Sequence, residues 1–537
     1  MVRGISLLLI AAAIAGGPLN AQGTDQDIHA LRARLAEVLK TQERLDRENA
    51  ELRERMDSMV NTQSLLSAEN DALKSDAWER DLATSIDAMT SSLEGATVRS
   101  VADPISLSGE FRLRTVMVSL EPNQAVGAAE FDGYYTDALV RLGFQYEFSR
   151  DVTAFAQVQS SWAFGDRAST AGGRATAASL APLNLSLDFG ESQTPVTLHQ
   201  GWLEIRNLFG REELSWKLGR QEVVLGNQFQ FGNADWFTGF SFDGFRWDWD
   251  EDAFRLTALA LKLNSSDADL SQLHSLLVSH DDDELYSLYF TLKSIEDHEL
   301  DLYWIFVNGH GSADGGSGAS VGSLGNYVGG ALAPTGSTSY FHTVGARIGG
   351  VFRDVAAGLD YNVELAYQFG DTNQGAVSDV GGLAIEAEAG ITFSGESKFR
   401  IFTRFLFSEG ADGNGTGYVP LYPNRHSNGG FLGRYGLTDT LPMFNAVSLQ
   451  GGFHFMPNES WLLGGTFIWS TTDEPVAGIG GDAWGHEIDL WAAYIYSENL
   501  TFVFAAFAVF PDDHLEAFAG ISDDTVFGGV IQARLVF

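Results

Sequence analysis

The chain has 537 residues, 45% of them hydrophobic and 12% aromatic, and a formal net charge of -38. That acidity leaves no basic face to neutralise phosphates and excludes nucleic-acid binding, while the lack of cysteine excludes disulfides, thiolate chemistry and a lipoprotein anchor. Beyond the N-terminus no apolar run is long enough for a membrane-spanning helix, so a chain this rich in aromatics and glycine points to alternating strands.

Residues 1–21 read as an export signal. Arg3 supplies the basic start, Ile5 to Ala15 the apolar run, and Gly16, Gly17 and Pro18 the break before cleavage after Ala21. Residues 25–95 read as a periplasmic coiled coil and linker. Its a positions run from Ile28 to Ala77 and its d positions from Leu31 to Leu73, a rod of roughly 75 Å at 1.5 Å per residue. Polar a positions such as Gln42 and Asn49 fix register. The expected partners of 28–77 are copies of the same helix, or else peptidoglycan or an inner-membrane partner.

From Ile105 the apolar period changes to two, and 105–537 reads as an all-β transmembrane barrel. In Arg141–Phe148, Arg, Gly, Gln and Glu alternate with Leu, Phe, Tyr and Phe, a lumen face against a lipid face. Leu214, Trp216 and Leu218 alternate likewise with Ser215, Lys217 and Gly219. Short polar turns are expected near Arg150, Arg211, Asp252, Asp297, Asp354, Glu396, Asn458 and Glu498. Long loops between them are expected at 119–136, 164–196, 224–240, 265–283, 309–340, 370–381, 409–443, 471–485 and 511–525. Short turns on one side and long loops on the other give about 18 antiparallel strands with both ends in the periplasm. The final segment Ile531–Phe537 alternates and closes on an aromatic, the feature that barrel-assembly machinery reads.

Three segments carry a family resemblance. Leu218–Asp248 reads LGRQEVVLGNQFQFGNADWFTGFSFDGFRWD; Pro420-Leu421-Tyr422-Pro423 is followed by His426 and Gly429-Gly430; and Trp484-Gly485-His486-Glu487-Ile488-Asp489-Leu490 opens a late hairpin. Together they resemble the alginate-export family of outer-membrane porins over about 105–537. The resemblance implies an 18-stranded monomeric barrel with a charged lumen and a constriction built partly from arginines. The matching positions are Arg220, Gln221, Asp235, Trp236, Asp243 and Arg246. Phe242, Gly244, Arg246 and Asp248 share one strand face and Asp243 the other, which places Asp243 near a rim turn.

Alternation adds Arg112, Arg114, Arg141, Arg400, Arg404 and Arg534 to the inward set. Rings of such side chains select anions in pores, and each could equally be held in an interstrand ion pair. The pore-lining candidates are therefore Arg112, Arg114, Arg141, Arg220, Asp235, Arg246, Arg400, Arg404 and Arg534. Acidic runs such as Asp281–Glu284 fall at predicted rims, where they would meet cations bridging lipopolysaccharide or keep loops solvated. Asp412–Gly417 has the early spacing of a calcium loop, but Pro423 stands where its closing Glu belongs, so it reads as an outer loop. There is no HExxH, GxSxG or Walker A pattern, so neither an enzyme nor a cofactor or metal site is expected. The expected function is an outer-membrane channel for polar or anionic solutes, small or polymeric. The alternative is a closed barrel whose coil tethers the outer membrane to the cell wall.

Overall fold

The computed structural model describes residues 98–99 and 105–537, apart from 121–130, 165–193, 234–238, 240, 265–282, 310–338, 354, 356–357, 375–376, 412–416, 427–433, 439, 476–479 and 520–523. The export signal, the coiled coil with its linker, Asp235 and Trp236 lie outside the described residues.

The strands are β1 (Ile105–Leu120), β2 (Phe131–Ser149), β3 (Val152–Ala163), β4 (Thr194–Arg206), β5 (Leu214–Gln221) and β6 (Phe242–Asp250). Next come β7 (Phe254–Asn264), β8 (Asp283–Ile295), β9 (His298–Gly309), β10 (Ser339–Phe352), β11 (Leu359–Gln374) and β12 (Val377–Thr392). The last are β13 (Arg400–Ser408), β14 (Ala446–Asn458), β15 (Trp461–Thr471), β16 (Ala483–Ile495), β17 (Leu500–Pro511) and β18 (Val526–Val536). Each pairs antiparallel with the next. β18 pairs with β1 from Phe527↔Ser119 to Val536↔Glu110, which closes an eighteen-stranded barrel. A two-residue strand, Val98–Arg99, lies beside Leu107 and Ser106 at the start of β1.

The seam closes on a glycine. Gly109 and Phe537 exchange backbone hydrogen bonds of 2.7 and 3.0 Å. A Cβ on Gly109 would come within 2.4 Å of the Phe537 ring, so only glycine leaves that ring its place.

Period-two alternation runs through the sheet. On β1, buried Glu110, Arg112 and Arg114 alternate with exposed Phe111 and partly exposed Leu113 and Thr115. Polar groups gather in the lumen and apolar ones face lipid, because backbone pairing leaves only side chains to satisfy each medium. Aromatic belts mark the edges of the apolar band. One holds His298, Phe352 and Tyr361, and the other Trp304, Phe306, His342 and Phe369. Phe352 and His342 lie on the one strand β10. At 3.4 Å per residue and a tilt near 40°, the belts stand about 25 Å apart.

The expected turns fall where the sequence puts them, and one loop does not. Residues 370–381, read as a long loop, largely continue β11 and β12, with Asp371 in register with Asp379. The glycines that suggested a loop serve close packing instead. Gly381 bridges Gly417, and a Cβ on Gly382 would lie 2.2 Å from the Tyr418 backbone nitrogen.

Candidate functional site

In the outer half of the barrel, several inward positions break the polar-lumen rule. Leu259 and Leu261 on β7, Leu285 on β8, Ile305 and Val307 on β9 and Phe341 on β10 are all buried. Described parts of two connections fold inside and cover them: 222–233 of the connection between β5 and β6, and 409–411, 417–426, 434–438 and 440–445 of that between β13 and β14. Val223 and Phe231 from the first, with Val419, Leu421 and Tyr422 from the second, share one apolar cluster with those strand residues. Removing that surface from water pulls both loops inward, at roughly 25 cal/mol per Å².

The loops pair with each other as short strands do. Gly232 N donates to Tyr422 O at 2.7 Å, Tyr422 N to Gln230 O at 3.0 Å, and Asn424 N to Gln228 O at 3.0 Å. The Gln230 amide reaches the Tyr418 hydroxyl at 2.9 Å, and burial pushes that phenol's pKa up. Lumen side chains then tie the second loop to the wall. Gln368 exchanges two 2.8 Å bonds with Val419, Asp489 accepts from Leu437 N at 3.1 Å, and Glu487 accepts from Thr438 N at 3.0 Å.

Glu386, on β12, holds both loops at once. It accepts from Asn227 of the first at 2.5 Å, from Arg434 of the second at 2.6 Å, and from the Tyr435 hydroxyl. Burial alone would lower the Arg434 pKa, but the Glu386 carboxylate overcomes it and keeps the guanidinium charged. The two loops and their wall thus form one constriction inside the barrel.

The inward arginines divide by what surrounds them. At the seam, Arg112 and Arg534 stand in direct register, two like charges face to face. Glu110 lies among them and accepts from Arg112 at 2.5 Å and from Arg534 at 2.8 Å, with Arg141 at 3.4 Å. Arg114 pairs with Asp137 at 2.9 Å. On the wall β11–β13, Arg400 bonds Asp360 and Glu388, and Arg404 bonds Glu388 and Gln450. All of these guanidiniums lie in ion pairs, Arg112 with Glu110 on its own strand and the others across strands, and the seam four and Arg400 are buried.

Arg220 differs from the sequence-based expectation. The register sets Arg220 opposite Asp243 on the outer face of the barrel, where they bond through 2.9 and 2.6 Å contacts. The physical reason is parity. Lys217 and Gln221 face the lumen, so the residue between Gly219 and Gln221 must point the other way. Asp243 is the second residue of β6, next to the loop. Arg246 points inward and grips Asp248 at 2.7 and 3.0 Å.

The inner ends of β4–β8 carry, besides Lys217 and Arg246, charges that were not among the pore-lining candidates: Glu204, Arg206, Asp248, Asp250, Arg255 and Lys293. They form three ion-paired groups side by side: Arg206 and Glu204 on β4 with Lys217 on β5; Arg246 with Asp248 on β6; and Asp250 on β6 with Arg255 on β7 and Lys293 on β8. Glu299, on β9, faces them and pairs with Arg347 at 3.5 Å. Unlike the seam arginines these side chains stay partly open: 48% for Arg206, 46% for Arg255 and 26% for Lys217. Lys217 and Arg246 are again like charges in direct register. Lys217 also lies 4.3 Å from the centre of the Trp202 ring, with Gln200 and Gln157 beside it. The signal was available, since Arg255 alternates with Phe254 and Leu256, and Lys217 with Trp216 and Leu218.

The three motif segments converge on the constriction. The first supplies the root and body of loop 222–241, the second supplies the strand-like seam at Tyr422, and the third supplies Glu487 and Asp489, which clamp Leu437 and Thr438. Trp484 is fully buried and donates to Asn445 O at 3.1 Å, at the loop's far end.

A family model described as alginate export matches residues 146–528. No curated protein matches the chain. Among solved structures, OpdL of Pseudomonas aeruginosa is similar at 12% identity and a TM-score of 0.49, over 81% of this chain and 98% of that one. OprD of the same organism is similar at 11% and 0.46, over 80% and 95%. OccAB4 of Acinetobacter baumannii is similar at 10% and 0.47, over 80% and 98%.

Proposed function

The chain belongs to the alginate export family, and from that premise we propose that this outer-membrane channel passes anionic, polar solutes along its β4–β8 wall. The observation that carries the reading is the Lys217↔Arg246 register pair, open to the lumen. Like charges directly opposite one another destabilise a sheet, and a passing anion between them relieves that repulsion. The carboxylates nearby are engaged to the sides, Glu204 at 3.8 Å from Lys217 and Asp248 on Arg246. Trp202 with Gln157 and Gln200 adds an aromatic and amide surface beside the cations, suited to a hydroxylated solute. The family's description names alginate, a polyanion of that chemistry, and the wall fits either a polymer or its small fragments.

The test is planar-bilayer recording on the full chain in a salt gradient. The expected wild-type reversal potential favours anions, and Lys217→Glu with Arg246→Glu moves it toward cations. Absence of any pore-like conductance would overturn the channel, and an unmoved reversal potential would overturn the track.

A further inference from the structure

We propose that Arg220 and Asp243, although they lie outside the lumen, position the inner loop 222–241 and so set the width and selectivity of the constriction. The inference rests on the channel reading but concerns residues that no solute touches.

Four observations support it. First, β5 and β6 are the shortest pair of adjacent strands, 8 and 9 residues, and loop 222–241 leaves the wall where they stop. Their last three register pairs are Gly219↔Gly244, Arg220↔Asp243 and Gln221↔Phe242. Second, these pairs are knotted. Arg220 grips Asp243 with two nitrogens and donates a third bond to Leu198 O at 3.3 Å, which adds β4 to the tie. On the inner side the Gln221 amide donates to Lys217 O, Gly219 O and Gly244 O at 3.3–3.4 Å.

Third, the glycines permit unusually close approach. Gly219 has φ +119, and a Cβ there would meet Gly201 O at 2.2 Å. A Cβ on Gly244 would meet Ala260 O at 2.2 Å. Immediately beyond the knot, Glu222 bonds His199 at 2.7 Å and Val223 enters the inner apolar cluster. The direction of the loop is therefore set within three residues of Arg220.

Fourth, the place is a costly one for charge. Asp243 stands six positions up β6 from Trp249 of the aromatic region. At 3.4 Å per residue and a tilt near 40° that is about 15 Å into a band about 25 Å tall. The pair is 40% and 52% exposed on that outer face, beside Phe245. An apolar cross-strand pair would serve the sheet equally well there. A bidentate pair adds what an apolar one lacks, a fixed orientation of the two strand ends.

The experiment compares full-length wild type, Arg220→Gln, Asp243→Asn and the charge swap Arg220→Asp with Asp243→Arg. Folding is read by heat-modifiable mobility, and the channel by single-channel conductance and reversal potential. Both single variants are expected to fold, with shifted conductance and reversal potential, and the swap to move both back toward wild type. A role confined to strand pairing would change mobility or melting and leave the reversal potential fixed, and that result overturns the proposal. If the single variants do not fold, Arg220→Cys with Asp243→Cys keeps the proposal open to refutation, because the chain has no other cysteine. The oxidised channel should conduct as wild type and change on reduction, and identical recordings in both states overturn it. A wild type without conductance would fail the channel reading itself, a distinct outcome.

Discussion

Among the described residues, two pairs of lysine or arginine cations face each other across neighbouring strands of this barrel, and they have different fates. Arg112↔Arg534 at the seam is buried, and Glu110 sits among its guanidiniums with Arg141 alongside. Lys217↔Arg246 on the β4–β8 wall keeps its carboxylates to the sides and remains open to the lumen. The difference teaches that an inward arginine is not by itself a pore-lining arginine. A buried cation whose neighbours supply acceptors holds strands together, whereas one left open can exchange its partner for a solute.

The comparison can be broken most severely at Glu110. Glu110→Gln removes the shared carboxylate of three guanidiniums, and a loss of about 3–5 kcal/mol is expected, read as the shift in the urea unfolding midpoint. An unchanged midpoint would show that the seam arginines do not depend on it. A smaller effect is expected at Glu386, where Glu386→Gln weakens a polar anchor shared by both loops, at about 1–3 kcal/mol of local stability. Limited proteolysis within 409–445 should accelerate and conductance should rise; resistance equal to wild type would mean the Gln368 and Asp489 ties suffice. The smallest stability effect is expected on the open wall. Lys217→Gln should move stability by less than about 1 kcal/mol, since part-exposed pairs contribute little, while still shifting the reversal potential. If it instead unfolds the barrel, the open wall is structural as the seam is.

How far the sequence could be read follows from the range of each interaction. Alternation and turn composition are local, so they gave the strand number and the side on which the turns lie. The 370–381 stretch misled because Gly381 and Gly382 are glycines for a distant reason, the approach of Gly417 and Tyr418. Parity with Leu218 assigns Arg220 outward, against the inward place that its motif implies, and the register with Asp243 follows parity. Asp137 and Glu110 could not be matched to their arginines, since those contacts depend on register and on closure between β18 and β1.

The sequence by itself determined an eighteen-strand barrel with a charged lumen, because the period of two and the spacing of turns are written residue by residue. Only the tertiary structure decided which charges a solute can reach. Strand register chooses each arginine's carboxylate, and the infolding of 222–241 and 409–445 chooses which part of the lumen is covered. Neither is a property of any short segment. Both arise when residues as distant as Glu110 and Arg534, 424 positions apart, close on one another.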